Sequence, residues 1–248
     1  MNSGDPIISV KNLTKRFGAF TAVDNITFQV GRGEIFGFLG ANGAGKTTAM
    51  RMLCGLSYPT EGSGNVMGYD VMTQGEEIKR HIGYMSQRFA LYEDLTVGEN
   101  LEFFGGVYGM RGTALNNRIT ELLERLHFAD QRDAMVASLP LGWKQKLAFM
   151  VATVHNPELV FLDEPTGGVD PITRRQFWEM IRGAAAEGTT IFVTTHYMDE
   201  AEYCDRISMM VDGKIRALDS PASLRRRYNA KTMEQVFFIL ARGAERSE

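Results

Sequence analysis

The sequence has little of what several classes of protein require. Its only two cysteines, Cys54 and Cys204, are too few for a metal site, and we interpret both as reduced thiols in or near the core. The longest apolar windows, such as 147–154, fall far short of the ~20 residues that a membrane span needs. Residues 1–6 do not have the pattern of a signal peptide. We therefore expect the chain itself to stay in the cytoplasm.

Charge of one sign is also scarce. The formal net charge of the 248 residues is -3, acidic and basic residues are interspersed, and the only basic run is Arg225-Arg226-Arg227. Such a short run is typical of a solvated helix end rather than of a nucleic-acid surface. The sequence therefore predicts no nucleic-acid partner. A hydrophobic content of 44% and a charged content of 23% are those of a globular protein with a substantial core.

What the sequence does have is a glycine-rich loop between an apolar run, 35–39, and a helical run, 48–56. It fits Gly-x-x-x-x-Gly-Lys-Ser/Thr, whose successive backbone N–H groups surround a diphosphate at a helix N-terminus. The glycines permit close approach to a ligand, Lys46 places a charge on the outer phosphates, and the Thr47 hydroxyl suits Mg²⁺. The predicted nucleotide-phosphate site consists of Gly40, Ala41, Asn42, Gly43, Ala44, Gly45, Lys46, Thr47 and Thr48.

A pair of acids ends a second apolar strand. Residues 159–162 are apolar, and Asp163 and Glu164 follow them directly. Alone, such a pair usually belongs to a surface turn. With a phosphate loop upstream, an apolar strand that delivers an acid beside that loop is a common way to hold Mg²⁺. The pair is therefore predicted to belong to the phosphate site.

Two half-buried strands precede the phosphate loop. Apolar and polar residues alternate over 7–13 and 22–30, which predicts an antiparallel flap. Phe17 lies at the edge of this flap. From the residues alone it either stacks on a base or packs in the flap core.

The rest of the chain alternates strands with helices. Residues 82–85 are predicted to form a strand that leads to Gln87. The spacing of apolar residues then becomes that of amphipathic helices, and residues 88–152 are predicted to be an all-helical insertion between parallel strands. A further strand, 189–195, leads to His196. We find no internal repeat or low-complexity segment.

In this order the motifs resemble those of the nucleotide-binding subunit of an ATP-binding cassette (ABC) transporter. The resemblance covers nearly the whole chain, from Val10 to about Leu240. It implies an α/β fold: a RecA-like P-loop NTPase core with an N-terminal antiparallel β subdomain and an inserted α-helical subdomain. The matching motifs are the phosphate loop, Gln87, Asp163-Glu164, Gly168-Val169-Asp170 and His196.

The resemblance also implies how the chain is divided. One ABC transporter domain covers about residues 7–237. Residues 1–87 and 153–220 would form the ATP-binding core with its flap, and residues 88–152 the helical subdomain with the signature segment. Residues 221–248 would form a C-terminal tail.

The resemblance implies that ATP and Mg²⁺ are the ligands. Hydrolysis of ATP requires charge neutralisation and an oriented water more than covalent chemistry. Lys46, together with a Mg²⁺ ion held by Thr47 and indirectly by Asp163 and Gln87, would offset charge on the β- and γ-phosphates.

The remaining implied roles concern the attacking water and the base. Glu164 would polarise the water as general base, because Asp163 attends to the metal. His196 would contact the γ-phosphate and Glu164, Phe17 would stack on adenine, and Asp170 would lie near the nucleotide. The implied catalytic residues are Glu164, His196, Gln87 and Lys46.

In this family two cassettes meet head to tail, and a Leu-Ser-Gly-Gly-Gln signature of one closes the ATP site of the other. Of the aligned segment 139–143, only Leu139 and Gly142 match, and both are predicted to contact ATP. Pro140 offers no hydroxyl to the γ-phosphate, and Leu141 replaces a glycine where the backbone must approach phosphate. The following helix N-terminus and Lys144 are expected to keep the segment positive.

The altered signature leaves two pairings open. In one, a homodimer hydrolyses ATP at two sites with an unusual signature. In the other, this cassette pairs with a different cassette whose ordinary signature closes the phosphate loop of this chain, while the partner's site is impaired.

Two other functional classes are alternatives. A soluble ABC ATPase of DNA repair or translation needs a long coiled coil or a second cassette and basic surfaces, none of which the sequence shows. A regulatory or structural module that binds ATP without turnover is compatible with the altered signature, whereas the intact Glu164 and His196 argue against it.

The resemblance also implies membrane partners. Phe89 to Asn100, beside Gln87, resembles the surface that receives the coupling helices of membrane subunits. Residues 195–202 and 232–237 look like those of the branch that exports drugs and natural products with an ABC-2 type membrane subunit. The chain is thus identified as the ATPase of a bacterial-type exporter, at the cytoplasmic face of the inner membrane.

Overall fold

A computed structural model describes residues 4–88 and 90–245. Within these ranges the strands form two sheets, one of four strands and one of six. In chain order the strands are β1 (Ile8–Phe17), β2 (Phe20–Val30), β3 (Ile35–Gly40), β4 (Glu61–Val66), β5 (Tyr69–Asp70), β6 (Ile82–Met85), β7 (Leu159–Asp163), β8 (Thr190–Thr195), β9 (Arg206–Val211) and β10 (Lys214–Asp219).

Helices connect and cover these strands. In chain order they are α1 (Lys46–Leu53), α2 (Gly75–His81), α3 (Val97–Val107), α4 (Gly112–Arg125), α5 (Leu141–Thr153), α6 (Pro171–Ala186), α7 (Pro221–Arg227) and α8 (Met233–Glu245). Short 3₁₀ turns occupy Ala129–Gln131, Val136–Ser138 and Met198–Tyr203. No helix in the described ranges is both long and apolar enough to cross a membrane.

The six-stranded sheet has the order β10-β9-β3-β8-β7-β6. All its neighbouring strands are parallel except β9 and β10. Every residue of β3, β7 and β8 is buried, as expected for strands that are covered on both faces. This explains why these strands appear in the sequence as continuous apolar runs rather than as alternating patterns.

The four-stranded sheet has the order β2-β1-β4-β5, and its pairs are antiparallel. Phenylalanines from both sheets pack together, with Phe28 of β2 stacked on Phe36 of β3 at a centroid separation of 5.6 Å. Phe38 and Phe192 complete this cluster. The antiparallel flap is therefore fixed against the parallel sheet beside the phosphate loop.

The register of the parallel strands brings four loops to one edge of the sheet. Leu39 pairs with Thr195, Asp163 with Thr194, and Met85 with Leu162, so β3, β8, β7 and β6 end at nearly the same level. Ligands of open α/β sheets bind beyond the carboxyl ends of the strands. The phosphate loop, His196, the acid pair and Gln87 all follow at this edge.

The chain between β6 and β7 contains α3, α4 and α5, as the change of period predicts. Thr96 begins α3 through a capping box, because its hydroxyl accepts the N–H of Glu99 while the Glu99 carboxylate accepts the N–H of Thr96. Apolar residues of the three helices share one core that includes Leu101, Ile119 and Leu147. This core holds the start of α5 near the loop after β7.

Several predicted bounds and placements differ from the structure. The flap strands extend to Phe17 and Phe20 and meet at a tight turn that contains Gly18, where φ is 58°. Helix α1 begins at Lys46 rather than at residue 48, because the last loop glycine is already its N-cap. Cys54 and Cys204 are both free and buried, as predicted.

The predicted docking surface from Phe89 to Asn100 is accessible only in part. Phe89 lies outside the described residues. Asn100 is fully buried, and its side-chain amide donates to the carbonyls of Tyr92 and Thr96 at 2.9 Å. Asn100 therefore fixes the start of α3 from inside, and it is not part of an accessible surface.

Candidate nucleotide site

The glycine-rich loop runs from the end of β3 into α1, and two of its glycines are required by the surrounding backbone. Gly45 has a φ of 100°, and a Cβ there would lie 2.2 Å from the carbonyl oxygen of Ala22 in the flap. A Cβ on Gly40 would lie 2.4 Å from the carbonyl oxygen of Met210. The loop is thus held between the flap and the parallel sheet, with the free N–H groups of the first turn of α1 beside it.

Gly45→Ala is expected to destabilise the protein by ~2–4 kcal/mol, because it adds a steric overlap with Ala22 to an unfavourable φ. Urea unfolding followed by circular dichroism measures the change. Gly183→Ala in α6 is the matched control, since a Cβ there meets nothing within 4 Å. The control is expected to be as stable as the wild type or more so, by up to ~1 kcal/mol. Equal unfolding midpoints for Gly45→Ala and the wild type would refute this account of the loop.

Lys46 is a buried cation enclosed by the loop. Its side chain is 4% exposed, and Nζ donates to the carbonyls of Gly40 at 2.9 Å and Ala41 at 3.0 Å. Nζ also lies 3.3 Å from Oε1 of Glu164. Burial lowers the pKa of Lys46, and the nearby Glu164 carboxylate opposes that shift. A partly desolvated ammonium of this kind binds an anionic phosphate strongly.

Asp163 lies deeper, at the end of β7, and is 2% exposed. Its Oδ1 accepts hydrogen bonds from the hydroxyls of Thr47 at 3.1 Å and Thr194 at 2.6 Å. Burial raises the pKa of Asp163, and these two hydrogen bonds oppose the rise. A cation beside Asp163 would favour its charged form further.

The donors around Asp163 fit Mg²⁺. Asp163 and Thr47 offer a carboxylate and a hydroxyl within hydrogen-bonding distance of each other, and Gln87 offers an amide oxygen nearby. In the described ranges no group of three or more His, Cys, Asp or Glu side chains could hold a metal. Mg²⁺ suits such a sparse protein site, because it takes phosphate oxygens and water as its other ligands.

Glu164 is the centre of a group of polar side chains from separate strand ends. Its Oε2 accepts a hydrogen bond from Nε2 of Gln87 at 3.2 Å and lies 3.0 Å from Nδ1 of His196. Its backbone N–H donates to the carbonyl and the hydroxyl of Thr194, both at 3.1 Å. A φ of 48° is uncommon for a glutamate and typical of functional sites. The structure thus brings Lys46, Gln87, Glu164 and His196 together.

The flap contributes two aromatic rings to this region. A cavity of about 480 Å³ over the phosphate loop is lined by Phe20 together with Lys46, Thr47 and Glu164, among others. Phe17 is not among the lining residues, but it pairs directly with Phe20 across the hairpin, so both rings lie on the same face. The rings are 55% and 64% exposed. Sequence reasoning missed Phe20, although its position across a two-residue turn from Phe17 is a usable signal.

The signature segment lies at the start of α5, where Pro140 is the N-cap. Leu139 is buried, Leu141 is exposed, and a Cβ on Gly142 would lie 2.6 Å from Cγ2 of Thr173 in α6. Gly142 therefore has a packing role within the chain. Neither Leu139 nor Gly142 lines the cavity over the phosphate loop.

Two further residues of the predicted cassette interface make contacts within the chain. Lys144 lies in the first turn of α5, as predicted, and its ammonium pairs with Oε1 of Glu93 at 2.6 Å. Asp170 caps α6 by accepting the N–H groups of Ile172 and Thr173, and hydrogen bonds with Thr173 lower its pKa. Asp170 also lies outside the cavity lining.

A glycine loop at the carboxyl edge of a parallel sheet, with a buried lysine and two strand-end acids, defines a P-loop nucleoside-triphosphatase site. The sequence profile of the family described as ABC transporter matches residues 23–167. The chain belongs to the ABC transporter family, and its domain is of the ATP-hydrolysing type. The predicted family and fold class are confirmed.

Named relatives agree with this assignment. The Probable multidrug ABC transporter ATP-binding protein YbhF of Escherichia coli K12 is 48% identical over 242 residues, which are 96% of this chain and 42% of that protein. The Nod factor export ATP-binding protein I of Ralstonia nicotianae is 38% identical over 220 residues, which are 88% of this chain and 68% of that protein. The chain thus spans less than half the length of the E. coli relative.

Solved structures share the fold. An ATP-binding subunit of an ABC transporter has a TM-score of 0.84 at 28% identity, and the match covers 94% of this chain and 99% of that one. A dimeric ATP-binding cassette in a post-hydrolysis state with bound ADP and Pi has a TM-score of 0.77 at 26% identity, and the match covers 86% of this chain and 98% of that one. The second protein is thus a hydrolysing cassette of the same fold.

Proposed function

We propose that this chain is the nucleotide-binding domain of an exporter and that it hydrolyses ATP with the residues described above. The observation that carries the proposal is the convergence of Lys46, Gln87 and His196 on Glu164, directly beside the Asp163–Thr47 pair. Phosphoryl transfer to water needs a held phosphate chain, neutralised charge and one oriented base. The site offers one group for each need.

The phosphate loop would bind the triphosphate. The N–H groups of the first turn of α1 and the ammonium of Lys46 would hold the β- and γ-phosphates. Thr47, Asp163 and Gln87 would hold Mg²⁺, which neutralises charge on these phosphates when it is bound. Burial of Asp163 matters here, because a desolvated carboxylate gains most from a cation.

Glu164 would activate the attacking water. Oε1 of Glu164 lies 3.3 Å from Nζ of Lys46. Phosphate oxygens would compete for Lys46, which leaves the Glu164 carboxylate to take the proton of the attacking water. His196 lies 3.0 Å from Oε2 of Glu164, so it would orient the base and reach the γ-phosphate from the same side.

The antiparallel flap would bind the adenine base. Phe17 and Phe20 expose neighbouring rings on one face of the hairpin, and Phe20 lines the cavity over the loop. A base can stack on such a ring without hydrogen bonds. We assign adenine contact to both rings, Phe20 in addition to the Phe17 that the sequence suggested.

The partners are proposed from the same surfaces. A second cassette would place its signature over this phosphate loop, while Leu139, Gly142 and Asp170 of this chain would face the partner's nucleotide. ABC-2 type membrane subunits would hold the cassette at the cytoplasmic face of the inner membrane. The names of the E. coli and Ralstonia relatives support export of drugs or other amphipathic small molecules.

Pairing with a different cassette is favoured over a homodimer. The altered signature lacks the serine hydroxyl, and the charge of Lys144 is partly offset by its ion pair with Glu93. An ordinary signature from another cassette would close the site of this chain fully. This pairing makes the present chain the competent half of the ATPase.

Pro140→Ser with Leu141→Gly is expected to raise phosphate release by the purified chain alone about tenfold or more. A restored hydroxyl bond to a charged phosphate contributes ~1.5–3 kcal/mol to closure of a homodimer. Pro140→Ala with Leu141→Ala is the matched control, since it removes both side chains without adding a hydroxyl, and it is expected to give no increase. Wild-type rates for the Ser/Gly variant would refute the view that the signature limits the homodimer.

A further inference from the structure

Glu200 is a buried carboxylate that the mechanism above does not use. It lies in the 3₁₀ turn Met198–Tyr203, four residues after His196, and its exposure is 0%. A charged group in the interior requires hydrogen bonds or an opposite charge. Glu200 follows β8, and its two side-chain partners lie in the loop after β7 and in α6.

The first partner is Thr166, two residues after Glu164. Its hydroxyl donates to Oε1 of Glu200 at 2.6 Å, and Thr166 is itself buried, at 1% exposure. This bond joins the loop after β7 to the turn after β8. Glu164 and His196 leave those same two strands.

The second partner is Arg174, in the first turns of α6 after the capping Asp170. Its Nε lies 3.7 Å from Oε1 of Glu200. Its guanidinium carbon lies 3.9 Å from the ring centroid of Tyr197, a distance that permits a cation–π contact. The Tyr197 ring in turn lies 4.2 Å from the His196 ring, centroid to centroid.

The ion pair of Glu200 and Arg174 is expected to contribute little to the free energy of unfolding. Oε2 of Glu200 and Nε of Arg174 are buried without a hydrogen-bond partner. A distance of 3.7 Å exceeds the ~2.7–2.9 Å of a charge-assisted hydrogen bond. Buried ion pairs with unsatisfied atoms contribute little net stability, because desolvation offsets their attraction. We therefore expect the pair to determine the relative positions of the segments that it joins rather than the stability of the protein.

We propose that Glu200 and Arg174 are positioning residues that hold the loop 164–170 in register with His196. Neither contacts the nucleotide cavity. Glu200 fixes the loop through Thr166, and Arg174 fixes the residue next to His196 through Tyr197. The consequence for turnover rests on the proposed ATP hydrolysis, whereas the consequence for loop order does not.

The first test is Glu200→Gln in the full chain with its natural partners. The amide keeps an acceptor for Thr166 and removes the buried one of the two carboxylates that face Arg174, while the exposed Asp199 stays 3.7 Å from Nη1. We expect kcat for phosphate release to fall about tenfold while KM and the ATP dissociation constant stay unchanged, since misplacing a base acts on the chemical step. Glu202→Gln is the matched control, because Glu202 lies on the same turn, is exposed and pairs only with Arg225 among the contacts described.

The second test needs no hydrolysis and separates this proposal from the proposed function. Amide hydrogen exchange of the nucleotide-free chain is expected to speed up at 164–174 and 196–203 in Glu200→Gln, with no change in β1 and β2. A purely structural role would raise exchange throughout the chain. Thr166→Val, which removes only the hydroxyl bond, is expected to show the same local pattern and covers the case in which Glu200→Gln does not fold.

The outcomes are distinct. Faster amide exchange confined to 164–174 and 196–203, in Thr166→Val or Glu200→Gln, supports the positioning role even if the wild type releases no phosphate. Absence of phosphate release would refute only the proposed function. Unchanged exchange at 164–174, or exchange raised equally in the flap strands, overturns the positioning role. A loss of kcat that Glu202→Gln reproduces would overturn it as well.

Discussion

Glu164→Gln is expected to abolish ATP hydrolysis, with phosphate release slowed about 10²- to 10⁴-fold, while ATP still binds. The amide cannot accept the proton of the attacking water. It can still accept hydrogen bonds from Gln87 and its backbone keeps the same contacts with Thr194, so the loop geometry is retained. Removing a negative charge beside the phosphates would, if anything, tighten ATP binding.

Phosphate release and calorimetric titration with ATP, performed on the same preparation, measure both halves of this prediction. Glu76→Gln is a suitable control, because Glu76 is exposed on α2 and pairs only with Lys79 among the contacts described. The control should hydrolyse ATP like the wild type. Unchanged turnover in Glu164→Gln would remove Glu164 as the base.

Lys46→Ala is the second large effect, and it acts on binding rather than on chemistry. Loss of a buried ammonium from the phosphate loop removes charge-assisted bonds worth ~3 kcal/mol, which corresponds to an ATP dissociation constant about 100-fold higher. The fold of the chain itself buries Lys46 and thereby lowers its pKa, so binding of phosphate removes little further water from the ammonium.

Calorimetric titration measures the dissociation constant directly. Lys79→Ala on α2 removes a half-buried lysine whose partner is Glu76, and it should bind ATP like the wild type. A far-ultraviolet spectrum of Lys46→Ala that matches the wild type excludes unfolding as the cause. An unaltered ATP affinity in this folded variant would contradict the assignment of the loop.

Much of this site is encoded locally in the sequence. The phosphate loop is a contiguous motif, and buried parallel strands appear as short apolar runs, so 35–39 and 159–162 identify the strands that precede Lys46 and Asp163. Strand 82–85 has the predicted bounds. Parallel strands end at one edge of a sheet, so the meeting of Gln87, Glu164 and His196 follows from the order of elements.

The features that were missed depend on contacts between distant parts of the chain. Lys144 and Glu93 are 51 residues apart, and nothing in either segment indicates their ion pair. The burial of Asn100 reflects a loop that folds back over the start of α3. Glu200 belongs to a run of charged residues typical of a surface, and contacts with Thr166 and Arg174, more than 20 residues away, enclose its carboxylate.

Phe20 was missed for a different reason. The predicted flap strand started at residue 22, so the hairpin tip was left out of the paired region. Registry places Phe20 directly opposite Phe17, and this pairing could have been found by extending both strands to a two-residue turn. The turn determines where the two strands of a hairpin end, and the alternation of apolar and polar residues does not show where that turn lies.

We expect this site to bind Mg-ATP and to cleave its terminal phosphate. The most direct measurement is a calorimetric titration with ATP in the presence of magnesium, with phosphate release assayed on the same sample, for the chain alone and with its natural partners. The account predicts saturable binding of ATP and release of phosphate that stops when magnesium is chelated. Binding without release under any of these conditions would refute the ATPase role, and absence of binding would contradict the site itself.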